Sequence, residues 1–184
     1  SKDSSLYYIS TFDGTNNIFK VDLKNSKSEK ITNFRNNEIV SDLNYDKDKD
    51  VLYFDLTNNH FRQIFTINLF DSSMVKLIDS DSFDHRQIST SKEFYVFSDD
   101  RSGIHNIYYV GENNQGYISN TSGGTFMPDI NLNSEIVYSV FENGKFKIAI
   151  IDSIDIADAS NVGYSPSYFQ KNKNLKDPIS GSQN

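Results

Sequence analysis

Residues 93–129 read EFYVFSDDRSGIHNIYYVGENNQGYISNTSGGTFMPD, and this stretch decides the fold. Two short apolar runs, 94–97 and 107–110, flank Asp99-Asp100-Arg101-Ser102-Gly103. That is the composition of a tight hairpin, because Gly103 tolerates positive φ and Asp and Ser side chains satisfy turn amides. A polar turn, a third run at 116–119, a loop at 120–125 and a run opening at Phe126 follow.

The unit recurs along the chain. The first runs align Tyr8, Tyr53, Val96 and Tyr138 at spacings of 45, 43 and 42. The second runs align Ile18, Ile64, Ile107 and Ile148 at spacings of 46, 43 and 41. Third runs follow at 29–32, 75–78 and 116–119, and a weaker run precedes units two to four at 39–45, 86–90 and 127–132. A repeat of about 40 to 45 residues with four short strands is a propeller blade. The second strands are apolar almost throughout, as expected of strands covered on both faces by neighbouring blades. Tyr, Phe, Ile and Val between Asn, Asp and Gly exclude a helical repeat.

The expectation is therefore an all-β protein, a β-propeller of four-stranded antiparallel blades. Residues 6–151 would hold four units, at 6–32, 39–78, 86–119 and 126–151, with 152–184 a strand, linker or tail. Unit one lacks an inner strand and unit four an outer one, which implies a segment of a larger ring. The alternative is closure as a four-bladed ring, with 154–157 as the outer strand of unit four and 163–169 as the inner strand of unit one.

With 184 residues the chain is long enough for an ordered core. A net charge of −7 argues against a nucleic-acid partner. Without cysteine there is no disulfide frame, thiolate chemistry or Cys-bound zinc. No apolar run reaches the length of a membrane helix.

The residues 97–103 and Asn106-Ile107-Tyr108 resemble the TolB-type propeller repeat, with echoes in Ile9-Ser10 through Gly14 to 17–19 and in 141–144. The resemblance covers about residues 6–151. Unit two departs from it, with 55–60 (DLTNNH) where the repeat has Ser-Asp and Gly, and 46–50 (DKDKD) in place of a Pro-Asp-Gly turn. Such repeats occur in cell-envelope scaffold proteins and in propellers attached to peptidases. The resemblance thus implies a non-catalytic protein- or peptide-binding scaffold of the bacterial envelope or periplasm, or else the accessory, substrate-gating propeller of a hydrolase. Further blades of the same protein count among the expected partners.

Chemical motifs are sparse. The D-x-D-x-D of residues 46–50 has Val51 and Thr57 where an EF-hand loop needs Gly and Glu, so it reads as a solvated turn, as does the acidic 79–82. Asn120-Thr121-Ser122 is a formal glycosylation acceptor, meaningful only in a secreted eukaryotic protein. There is no G-x-S-x-G or H-E-x-x-H, and the three histidines stand apart, so no catalytic residue, metal site or cofactor is expected.

The distribution of positive residues is more informative. In a blade the turn between the second and third strands and the loop to the next blade emerge on one face. Arg35, His60, Arg62, His85, Arg86, Arg101 and His105 all fall in or beside those loops, whereas Lys24, Lys27, Lys47, Lys49 and Lys92 fall on the other set. Arginine's planar fork pairs bidentately with carboxylates. The expected ligand is an acidic peptide or the C-terminus of a polypeptide, with Phe34, Phe61, Phe83 and Phe126 adding apolar contact.

Overall fold

The computed structural model describes residues 4–58, 60–78, 82–158 and 162, and everything below concerns those residues. Fourteen strands form four antiparallel sheets, and no helix occurs among the described residues. Sheet one holds β1 (Ser5–Ser10), β2 (Asn17–Asp22) and β3 (Lys27–Lys30). Sheet two holds β4 (Ile39–Asp46), β5 (Val51–Asn58), β6 (Phe61–Asn68) and β7 (Met74–Lys76). Sheet three holds β8 (His85–Thr90), β9 (Tyr95–Asp99), β10 (Asn106–Val110) and β11 (Gln115–Tyr117), and sheet four β12 (Thr125–Ile130), β13 (Ile136–Glu142) and β14 (Lys145–Ile151). The turns at Gly14, Gly103 and Gly144 take φ of 84°, 84° and 74°, a region that costs a side-chain-bearing residue strain.

Apolar cores lie between successive sheets. Ile18, Val40, Leu52, Phe54 and Leu56 join sheets one and two. Tyr53, Ile64, Ile88 and Phe97 join two and three, and Phe94, Val96, Ile107 and Ile136 join three and four. Adjacent residues Tyr53 and Phe54 thus serve opposite cores, which is why these strands are apolar without alternation.

Strand pairing corrects the first-run register. Ile18, Ile64, Ile107 and Ile148 pair with Ile9, Asp55, Ser98 and Ser139 respectively. Tyr8 therefore corresponds to Phe54, Phe97 and Tyr138, and its true offset from the second unit is 46, not 45. The error arose because each run has several consecutive apolar residues, and a one-residue slip in a strand exchanges its two faces.

The expected outer strand of unit four is also not where the sequence suggested. The segment 154–157 lies instead against sheet three, where the Ala157 amide donates to Tyr117 O at 2.8 Å and Ile156 covers Gly116. A Cβ at residue 116 would stand 2.4 Å from Ile156 Cγ2, so only glycine admits this contact. The other closing strand, 163–169, lies outside the described residues, as do residues 79–81 of the acidic turn.

One device ties each of the first three sheets to the loop leading out of it. Asn106 is fully buried, and its Oδ1 accepts from the Ser119 hydroxyl (3.1 Å) and the Thr121 amide (3.0 Å). Asn17 does the same in sheet one, accepting from Thr32 Oγ1 (2.9 Å) and the Phe34 amide (2.7 Å). Gln63 reaches farther, donating from Nε2 to Phe83 O at 2.5 Å. Replacing Asn106 by leucine leaves two donors without an acceptor in a dry site, with an expected cost of about 2 to 3 kcal/mol. Urea melts at constant m-value measure it, and a loss below about 0.5 kcal/mol would show that the loop needs no such tie.

Candidate functional site

The innermost strands each carry a β-bulge, at Ser41/Asn44, Arg86/Ser89 and Phe126/Asp129. The extra residue in each is left-handed: Asp42, Gln87 and Met127 have φ of 49°, 61° and 54°. Bulges re-aim side chains and free backbone groups from the ladder. Here the freed amides are caught across blades. Both oxygens of Asp55 accept from the Gln87 amide, at 3.1 and 2.9 Å, and Gln87 Oε1 accepts from the Met127 amide at 2.9 Å.

Arg62, Arg86 and His105 lie near these bulges, but not as a bare cationic face. Arg62 Nη1 lies 3.4 Å from Asp42 and 3.7 Å from Asp55. Arg86 pairs with Asp84, whose other oxygen accepts from the Arg62 amide at 2.8 Å. Arg101 grips Asp99 through Nε (2.7 Å) and Nη2 (2.6 Å) and lies 4.3 Å over the Tyr108 ring. Arg35 and His60 are exposed in their loops. His105 is half-buried, 5.3 Å from the Phe126 ring.

His85 does not belong to the face at all. It is fully buried, with Nδ1 3.2 Å from Asp99 Oδ2. The cause is β8's register, which puts His85 opposite Asp99 within the sheet.

The carboxylates that organise these cations, Asp42, Asp55, Asp84, Asp99 and Asp100, are what sequence reasoning missed. Asp99-Asp100 within the repeat motif was the available signal. Two of these acids are shifted in opposite directions. Burial pushes Asp55 up to about 8, outweighing the Gln87 amide, with Asp42 raising it further and Arg62 opposing. Burial also works against ionised Asp99, but His85 and Arg101 overcome it and hold this carboxyl down at about 2. Burial and the Asp99 charge in turn push the Tyr117 phenol up, so its hydroxyl remains a donor to Asp99 Oδ1 at 2.8 Å.

Ser98 Oγ lies 3.4 Å from His105 Nδ1, a serine–histidine contact that sequence spacing did not suggest. Ser98 is fully buried and its hydroxyl donates to Thr125 O at 2.8 Å, so it is not presented as a nucleophile.

Among the open spaces that adjoin the blades, two bear on the placement of a ligand. A cleft of about 300 Å³ is lined by Leu56, Asn58, His60, Phe61, Gln63, Phe65 and Lys76. A larger one of about 900 Å³ opens at the opposite end of the inner strands, between the turns at 46–49, 90–93 and 130–134. Its charges are largely spent on one another, in Lys49–Asp46 (3.3 Å) and Lys92–Asp48 (3.7 Å).

Neither a family model nor a curated protein matches the chain. Solved structures do. TolB from Acinetobacter baumannii aligns with a TM-score of 0.66 at 18% identity, over 80% of this chain and 38% of that one. The putative TolB from Agrobacterium tumefaciens aligns with a TM-score of 0.68 at 10% identity, over 81% and 57%. A protein of the nidogen/laminin complex gives 0.59 at 11% identity, over 79% and 56%. The chain thus spans less than two thirds of each of these proteins. Four blade-like sheets, packed through alternating apolar faces and superposing on these structures, have the fold of a TolB-type β-propeller.

Proposed function

We propose that the protein is a non-catalytic protein- or peptide-binding propeller scaffold of the bacterial cell envelope, whose ligand side is the face carrying Arg62 and Arg86. One observation carries this reading: the Arg62 and Arg86 side chains are 29% and 25% exposed and are oriented by Asp42 and Asp84, while Phe61 and Phe83, next in sequence to Arg62 and Asp84, are each 39% exposed. Oriented arginine next to exposed aromatic surface suits an acidic segment with an apolar residue or a terminal carboxylate. Arg35, His60, Arg101 and His105 extend the same face. The envelope placement is supported by the likeness to TolB. Among the described residues no helix is long and apolar enough to cross a membrane.

The same reading sets these four sheets within a larger ring, residues 6–151 being blades and 152–184 a following segment. Ile18, Ile64 and Ile107 are each 0% exposed, but Ile148 at the equivalent position is 81% exposed, flanked by Phe146 (68%) and Ile150 (66%). That face of sheet four has the composition of a covered one.

The test uses a fluorescent oligoglutamate peptide ending in phenylalanine. Anisotropy is expected to show binding that weakens with salt and is lost in the Arg62→Ala, Arg86→Ala double variant. Lys47→Ala with Lys49→Ala should leave it intact. Loss in the lysine variant alone would move the site to the 900 Å³ cleft, and unchanged binding in both would remove the anionic-ligand reading.

A further inference from the structure

Asp84, Asp100 and His105 present one ligand atom each, all within 4.8 Å of one another, at the rim between sheets two and three. Three features go beyond mere proximity. Both carboxylates are anchored through backbone amides: Asp84 Oδ1 accepts from Arg62, and Asp100 Oδ1 accepts from Asp84 at 2.8 Å. The histidine's tautomer is set from behind. Ser98 commits its hydroxyl proton to Thr125 O, so toward His105 Nδ1 it can only accept, which places the ring proton on Nδ1 and the lone pair on Nε2.

The third feature is the present occupant. Arg86 supplies the positive charge on Asp84 through one end of its guanidinium, and its Nε is buried without a hydrogen-bond partner.

We infer that Asp84, Asp100 and His105 form a binding site for a borderline divalent metal ion such as Zn²⁺, Co²⁺ or Ni²⁺, entered by displacement of Arg86 from Asp84. One imidazole and two carboxylates suit this class. Ca²⁺ requires six to eight oxygens, and soft ions require sulfur. A cation about 2.1 Å from each donor needs donors roughly 3 to 3.5 Å apart, so the three side chains draw together on binding. Because the ion competes with Arg86, the site is weak in the wild-type protein. This inference does not rest on the peptide-binding reading.

Calorimetric titration of the full-length protein with ZnCl2 at pH 7.5 in a non-chelating buffer tests it. One saturable equivalent is expected, weakened about 10- to 100-fold by His105→Gln and by Asp100→Asn, unchanged by His60→Ala, and tightened by Arg86→Gln. Circular dichroism melts establish that each variant is folded. If Asp100→Asn is not, His105→Gln decides. A Co²⁺-loaded sample should show d–d absorption that His105→Gln abolishes. No uptake by either wild type or Arg86→Gln overturns the site, as does uptake that survives His105→Gln or disappears with His60→Ala.

Discussion

Phe97→Ala is expected to cost about 3 to 5 kcal/mol of unfolding free energy, a large share of the roughly 5 to 15 kcal/mol that holds a domain together. The ring is fully buried in the core between sheets two and three. Tyr108, Tyr95 and His85 lie 5.4, 6.2 and 5.8 Å from its centroid. Three aromatic neighbours belonging to the same sheet framework cannot close over the space a lost phenyl leaves, so the cavity penalty adds to the lost transfer energy. Tyr8 provides the internal control, since it occupies the corresponding position on the outward side of sheet one and is only half-buried. Tyr8→Ala should cost less than half as much. Denaturant midpoints that drop equally for the two variants would show that burial between sheets is not what stabilises the blades.

The second large effect is a dependence on pH centred on Asp55. This carboxyl is fully buried beside Asp42, with its pKa raised to about 8 against an ordinary value of 3.8. Between those values the folded protein keeps a proton that the unfolded one has released. Stability associated with this group is therefore fully present below about pH 4, declines as pH rises, and is exhausted above about pH 8. Over that window the decline amounts to at most about 6 kcal/mol, with the opposing effects of Arg62 and the Gln87 amide already included in the value of about 8. Asp55→Asn removes the titration while keeping an oxygen for the Gln87 amide, and is expected to flatten the profile and raise stability above pH 8. Asp99, held at about 2 by His85 and Arg101, works in reverse: its contribution is present above about pH 4 and lost toward pH 2. Parallel wild-type and Asp55→Asn profiles between pH 5 and 8 would refute the assignment.

The fold was legible in the sequence because its signals were local and repeated. Isoleucines 18, 64, 107 and 148 mark one position in four sheets, and Gly14, Gly103 and Gly144 mark their turns. What failed was the finer register, because consecutive apolar residues such as 52–54 look alike in sequence although they face different cores. The site was legible only in part. Loop assignment put Arg62, Arg86 and His105 on one set of loops, and the structure has all three around Asp84. It could not see that β8's register buries His85, or that Asp84 and Asp100 would meet, because these depend on cross-strand and cross-loop geometry. The left-handed bulges at Asp42, Gln87 and Met127 carry no sequence mark, since none is glycine.

The segment that crosses from β14 back to β11 bears on how the protein would respond to tension. A pull on the residues after Ala157 would not first peel β14 from β13 one hydrogen bond at a time. The load would reach the Ala157–Tyr117 bond and the seat of Ile156 over Gly116 first, and be shared with β11 and, through it, β10. Sheet three, complete with four strands, would take the strain before sheet four, whose described outer strand has a neighbour on one side alone. In a single-molecule extension experiment, Gly116→Val should therefore shorten the mechanical lifetime of the fourth sheet without touching any of its residues.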